Sequence, residues 1–443
     1  MTWQKFAYAL AFVSAAASTS RTALAEGLRI EDAVHLALQN NERARKAPLR
    51  TEVAEGQLDR ARDAFLPTLV ANGASTLKPD PPAKTPALTN SGTLTLSQPL
   101  LNPSAFPQYA QQERTRDAEK FGALQDRRQL AFDTAKAFVQ ALATERVLDS
   151  AKRKAATAQL NLDETQARAQ AGLTSTNDVT KAQLQLATSN GQVANAKGNV
   201  DKAYISLGFL VGQKVDPPLV PPDATTAAAK RYEEAQRTQQ AKSALQRHED
   251  AIKAAVNRRP DVRSAHERTE ALRYSAQETL YRLIPSVSAA GQLRFVPDPL
   301  ASEKAVDETV TLNLTWTIFD AGFRYADRRQ RLAQVASSEL DEKALVRSVA
   351  SDLDTARAAL QAARASVEAA TIAVAAAKQN IEETLILYKQ GLAKALEVTD
   401  ANDQQFQADV TLESARLTME QAYLDLRNAL GYGPLDEDMG TGK

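Results

Sequence analysis

Two stretches of this 443-residue chain follow the same order of residue types 218 positions apart. Leu66-Pro67, followed by Thr93-Leu94-Thr95-Leu96-Ser97-Gln98-Pro99-Leu100-Leu101-Asn102, returns as Ile284-Pro285, followed by Thr311-Leu312-Asn313-Leu314-Thr315-Trp316-Thr317-Ile318-Phe319-Asp320. A third block, Gly172-Leu173 through Asp178-Val179-Thr180 and Ala182, returns as Gly391-Leu392 through Glu397-Val398-Thr399 and Ala401, now 219 positions on. One slipped residue in so long a repeat means that the halves share a plan. A tandem repeat of this size implies pseudo-symmetric geometry, which no single active site requires. The halves span 26–211 and 230–430. A connector, 212–229, holds Pro217, Pro218, Pro221 and Pro222, and an acidic, Gly-containing flexible tail occupies 431–443.

The first residues set the compartment. Lys5 precedes a short apolar run at 6–17, and Ala23-Leu24-Ala25 is a small-x-small step before Glu26. That pattern is a secretory signal peptide over 1–25, and the run is too short to span a bilayer as a helix. The chain contains no Cys, so disulfides, thiolate metal sites, Cys nucleophiles and a Cys-linked lipid anchor are excluded. With 54 basic and 54 acidic residues interspersed, nucleic acid is not the expected partner.

Aromatic residues make up only 5% of the chain. Ala-rich, charge-laced sequence with few large side chains suits long helices lying side by side. From 103 to 170 the only Gly is Gly122, and a helix of that length would extend about 100 Å. Within it Leu130, Ala131, Ala135, Phe138, Leu142, Ala143 and Val147 recur at spacings that keep one face apolar. A second helix is expected over 176–210. The second half repeats the scheme with a helix to 283, a long one over 325–390 and another over 395–430. Gly191, Gly198 and Gly208 lie within one helix, where they allow another helix to come close.

Four segments follow a different period. Val310, Leu312, Leu314, Trp316 and Ile318 alternate with Thr311, Asn313, Thr315 and Thr317; Val287, Ala289, Gly291, Leu293 and Phe295 alternate largely with polar residues. Together with 66–77 and 91–101, the segments 284–296 and 308–319 read as strands with one apolar and one polar face. Each pair is joined by a Pro-rich or charged loop, 78–91 or 297–307. About ten residues is the length a tilted strand needs to cross an outer membrane. Four strands cannot close a barrel, and open edges are not tolerated in lipid. If these strands enter a membrane, several chains must share one barrel. The alternative is a soluble four-stranded sheet capping a helical rod.

The ordered set resembles the TolC-like outer-membrane efflux protein family. Ala-Val-His-Leu-Ala-Leu-Gln-Asn-Asn at 33–41 and Arg259-Pro260-Asp261-Val262 resemble its opening helices. Leu66-Pro67 and Ile284-Pro285 match its entry into the odd strands. Leu314-Thr315-Trp316-Thr317-Ile318-Phe319-Asp320-Ala321-Gly322 is close to its strand exit. Tyr388-Lys389-Gln390-Gly391-Leu392 and Glu397-Val398-Thr399-Asp400-Ala401 match the turn before its last long helix. The similarity covers 28–431.

The resemblance implies a mostly α fold with membrane β: a homotrimer whose chains each contribute four strands to a shared twelve-stranded barrel in outer-membrane lipid, continued by coiled-coil helices as a periplasmic α-barrel. It implies an export duct of a tripartite efflux or type I secretion system. The duct would be a passive conduit opened by a periplasmic adaptor (a membrane fusion protein) and an inner-membrane RND or ABC transporter. Gly172-Leu173 and Gly391-Leu392 would be helix-hairpin tips that dock the adaptor. Glu397 and Asp400, three residues apart on one helical face, match its acidic gate residues, Tyr388 its gate Tyr and Asp178 the acidic partner on the first tip. Rings of carboxylates at a constriction favour cations. Ala393 stands where the family carries a latching Arg, with Lys394 beside it.

No catalytic, cofactor-binding or metal site is expected. His35, His248 and His266 each lack a second His or a Cys at ligand spacing. No Gly-rich phosphate loop, nucleophile elbow or zinc motif occurs. The competing reading from another class is a secreted helical structural protein of the envelope.

Overall fold

The computed structural model describes residues 27–80, 87–221, 244–297 and 304–435. The expected signal peptide lies outside these residues, as do parts of both strand loops, part of the connector and most of the tail. Among the described residues are eight helices and four strands: α1 (Ile30–Asn40), α2 (Glu42–Asp63), β1 (Thr68–Leu77), β2 (Leu88–Leu101), α3 (Ala105–Gln170), α4 (Thr176–Val211), α5 (Ala244–Arg258), α6 (Pro260–Tyr281), β3 (Ser286–Phe295), β4 (Val306–Thr315), α7 (Phe323–Lys389) and α8 (Ala395–Ala429). The order is the same in both halves: helix pair, strand pair, helix pair.

Each half opens with a broken helix. Buried Asn41 separates α1 from α2: its amide donates to Leu210 O at 2.9 Å, and its Oδ1 accepts from Arg43 N at 2.9 Å. A buried Asn that caps one helix and binds the end of another interrupts the run that periodicity alone would carry through. In the second half Arg259, followed by Pro260 at the first position of α6, makes the corresponding break between α5 and α6. In α3, Pro107 occupies the first turn, where its missing N–H has no intrahelical acceptor to lose.

The chain folds as two compact units, and each draws on both halves of the repeat. One comprises residues up to 46, 125–259 and 348–443. Its core packs α1, α3, α4 and the connector through Ile30, Phe132, Phe138, Leu207, Val211 and Leu219. The Leu28–Leu219 bridge holds the connector, with Val220 N donating to Leu28 O at 3.0 Å. In the same unit α7 packs on α8 through Leu353, Ala356, Leu360 and Ala363 against Tyr423 and Leu426.

The other unit, 47–124 and 260–347, carries the sheet. Its order is β1-β2-β3-β4, antiparallel throughout, with β1 and β4 unpaired at their outer edges. Every residue of β1 and β4 is exposed. Val310 is 87% exposed and Leu312 68%, so the apolar face is uncovered as well as the polar one. At the base of the sheet lies buried Glu278, which accepts from Arg282 Nε at 2.8 Å and from Gln108 Nε2 at 3.3 Å. Its second oxygen lies 3.1 Å from Arg331 Nη1, an ion-pair contact without hydrogen-bond alignment, because Nη1 donates to Ser275 O at 2.7 Å.

One strand ends earlier than its alternation predicts. The period-2 pattern runs to Phe319, but β4 ends at Thr315, opposite Ser286. Pro285 precedes Ser286 and has no N–H to extend the ladder. Other donors take the next groups: Arg324 Nη2 donates to Thr317 O at 2.8 Å, and the Trp316 indole donates to Leu283 O at 3.0 Å. Arg324 is also clamped by Asp320, at 2.9 Å from Oδ2. Between them Ala321 sits at φ 55, a left-handed conformation that a side chain disfavours.

Candidate functional site

The two hairpin tips are built alike. At the end of α3, Gly172 adopts φ 75; its N–H bonds Ala169 O at 3.0 Å and Leu173 N bonds Arg168 O at 2.9 Å. At the end of α7, Gly391 adopts φ 77; its N–H bonds Tyr388 O at 3.0 Å and Leu392 N bonds Leu387 O at 2.9 Å. Both are Schellman closures, which require a left-handed residue just beyond the helix. A Cβ at either Gly would meet nothing within 4 Å, so backbone conformation alone selects glycine here. Such a motif commonly packs the next apolar residue against the helix. Here Leu173 is 78% and Leu392 74% exposed, leaving an apolar side chain at the apex of each tip.

The returning helices differ. Ser175 and Asp178 form a capping box at the start of α4, and Thr174 Oγ1 also donates to Asp178 Oδ2 at 2.8 Å. These hydroxyls, Thr174 first and Ser175 second, hold the Asp178 carboxyl below the usual carboxylate range. At the start of α8, Lys394 provides no side-chain cap, and Glu397 makes only a backbone bond, from its N–H to Lys394 O at 3.0 Å. Glu397 and Asp400 are exposed and have no side-chain partner among the described residues. Between them Val398 is buried with Ala401, Ile381 and Tyr388.

Tyr388 is buried. Its hydroxyl lies 3.4 Å from Thr165 Oγ1, while Asp178 is committed to its own cap. The guanidinium of Arg168 covers the Tyr388 ring, donates to Tyr388 O and pairs with Glu164 at 3.1 Å. Thus α3 and α7 are joined at the tips by Arg168 and Thr165, residues that no repeat signal marks: Leu387 stands at the position corresponding to Arg168. Farther from the tip of α3, Lys154 is buried, pairs with Asp403 at 2.7 Å and lies over the Phe406 ring; Asp403 also accepts from Gln185 at 2.7 Å, tying α3, α4 and α8 together.

Among the described residues no group of His, Asp and Glu is arranged to hold a metal, and no helix is long and apolar enough to cross a membrane. A sheet with two free edges and an uncovered apolar face, joined to long helix hairpins, is one subunit's share of a barrel completed by other chains. The model of the family described as outer membrane efflux protein matches residues 33–213 and 251–432, and the chain belongs to that family. It is an outer-membrane efflux channel with its helices in the periplasm; channels of this kind are trimeric and work with adaptors and inner-membrane pumps.

Solved structures agree in fold. CusC, whose crystal structures address the conformational changes accompanying folding and transmembrane channel formation, superposes with a TM-score of 0.76 at 17% identity, covering 91% of this chain and 92% of that one. The outer membrane protein VceC of Vibrio cholerae gives 0.73 at 16% identity over 91% and 96%. The open outer membrane channel MtrE of Neisseria gonorrhoeae gives 0.73 at 19% identity over 93% and 91%. No curated protein sequence matches the chain.

Proposed function

We propose that three copies of this chain form a passive export duct whose periplasmic end is an iris made by the two hairpin tips. The observation that carries the reading is the contrast between the tips: the first is secured by a side-chain capping box, and the second begins α8 without one. The second hairpin is then the element freer to move, and it carries Glu397 and Asp400. In a trimer these two residues give rings of like charge, which favour cations at a constriction. Leu173 and Leu392 would meet the tips of a periplasmic adaptor's hairpin. Energy would come from an inner-membrane RND or ABC transporter coupled through that adaptor, whether for efflux or for type I secretion.

The test is conductance in a planar bilayer. Trimers carrying Glu397→Ala with Asp400→Ala are expected to lose cation preference and block by multivalent cations. Unchanged selectivity would remove the gate assignment, while leaving the duct intact. Crosslinking from positions 173 and 392 in intact cells should capture a periplasmic adaptor.

A further inference from the structure

We infer that the end of α4 carries a binding site for a small organic cation. The site lies within one chain, and the export reading makes no use of it. Gly212 ends α4 at φ 77, and the connector turns back along the helix. A Cβ at Gly208 would meet Gln213 O at 3.0 Å, so this glycine admits the returning connector rather than another helix. Val215 and Leu219 anchor the connector in the core, while Lys214 pairs with Asp216 at 2.8 Å in solvent. Between helix and connector opens a cavity of about 670 Å³. Small-molecule sites occupy roughly 300–1,000 Å³.

Two rows of α4, each with a spacing of four, line this cavity. Val200 and Tyr204 belong to the first row and are buried; the Tyr204 hydroxyl donates to Glu145. Asp201, Ile205 and Phe209 belong to the second. Ile205 is 73% and Phe209 77% exposed, so nothing within the chain covers this apolar wall. Glu42 lines the cavity from the start of α2. The neighbouring Asn41 fixes it there, through the amide bond to Leu210 O at 2.9 Å.

The charges select the ligand. Glu42, Asp201, Lys214 and Asp216 line the cavity. Lys214 and Asp216 neutralise each other, whereas Glu42 and Asp201 are exposed and have no partner among the described residues. Two uncompensated carboxylates beside an apolar wall suit a cation that carries apolar groups. The ring faces of Phe209 and Tyr204 attract the same sign of charge, as in sites for quaternary ammonium ligands. An anion of the same shape would meet like charge. The volume points to a free molecule rather than to a segment of a partner protein.

The probe is tetraphenylphosphonium, with tetraphenylborate as its isostere of opposite charge. Full-length trimers in nanodiscs should bind the phosphonium saturably, one per chain after subtraction of empty nanodiscs, and should not bind the borate. Phe209→Ala should weaken phosphonium binding about tenfold, through loss of the apolar wall and its ring. Glu42→Gln with Asp201→Asn should lower phosphonium affinity and admit the borate. These three side chains are exposed, so the variants should still give heat-resistant trimers. Equal binding of both ions by the unaltered chain would overturn the charge assignment. Phosphonium binding that Phe209→Ala leaves unchanged would overturn the site. Absence of saturable binding, or a cavity that takes only a Lys- and Arg-containing peptide, would overturn the proposal outright. None of these outcomes bears on the export reading.

Discussion

The guanidinium of Arg168 lies 4.6 Å from the centre of the Tyr388 ring and donates to that residue's carbonyl at 3.3 Å. This contact, with Thr165 on the Tyr388 hydroxyl, joins α3 to α7 at the tips. It is a cationic contact between the two hairpins. A stacked, partly buried pair of this kind contributes about 0.5–2 kcal/mol. Arg168→Gln should loosen the second hairpin and increase resting conductance in planar bilayers, with Arg168→Lys intermediate because it lacks the planar fork.

The capping box of α4 makes a pH prediction. Hydrogen bonds from Thr174 and Ser175 depress the folded-state pKa of Asp178. A depressed carboxyl contributes stability that is present above its unfolded pKa and lost as pH falls through the folded value. Amide protection factors, taken relative to the intrinsic exchange rate at each pH, should therefore fall in the first turn of α4 on acidification into that range, while those in the first turn of α8, with no cap to lose, should change little. Ser175→Ala should reproduce the acid effect at neutral pH, at about 0.5–2 kcal/mol.

Ala321 makes a prediction of the opposite sign. Its left-handed backbone costs about 1–2 kcal/mol for a residue with a Cβ, of which the greater freedom of an unfolded Gly returns roughly half. Ala321→Gly should stabilise the chain by about 0.5–1 kcal/mol in denaturant titrations. Loss of stability would mean that the Asp320–Arg324 clamp needs the side chain between them.

Glu278 is buried with Arg282 and Arg331 around it. Glu278→Gln keeps the shape and removes the charge. It should destabilise by about 1.5–3 kcal/mol, the range for hydrogen bonds to charged groups. Heat resistance of the trimer is the measurement.

Much of this was readable from residue order. The repeat places both strand pairs and both tips, because glycine at the left-handed position and alternation along a strand are local requirements. The alternation at 308–319 misled at its end, since Trp316 and Ile318 keep the period after Pro285 has removed the partner's donor. The break at Asn41 depends on a carbonyl of Leu210, far along the chain, and no local pattern announces it. Arg168 was invisible for a related reason: an arginine near the end of a helix is ordinary, and only the fold brings it over Tyr388.

The exposed sheet has a consequence for biogenesis. A lone chain offers water two strand margins without neighbours and a row of Val and Leu side chains with nothing over them. That region has no stable form of its own to reach first, so its maturation and the meeting of subunits are a single event. Its yield should rise steeply with the amount of protein delivered to the membrane.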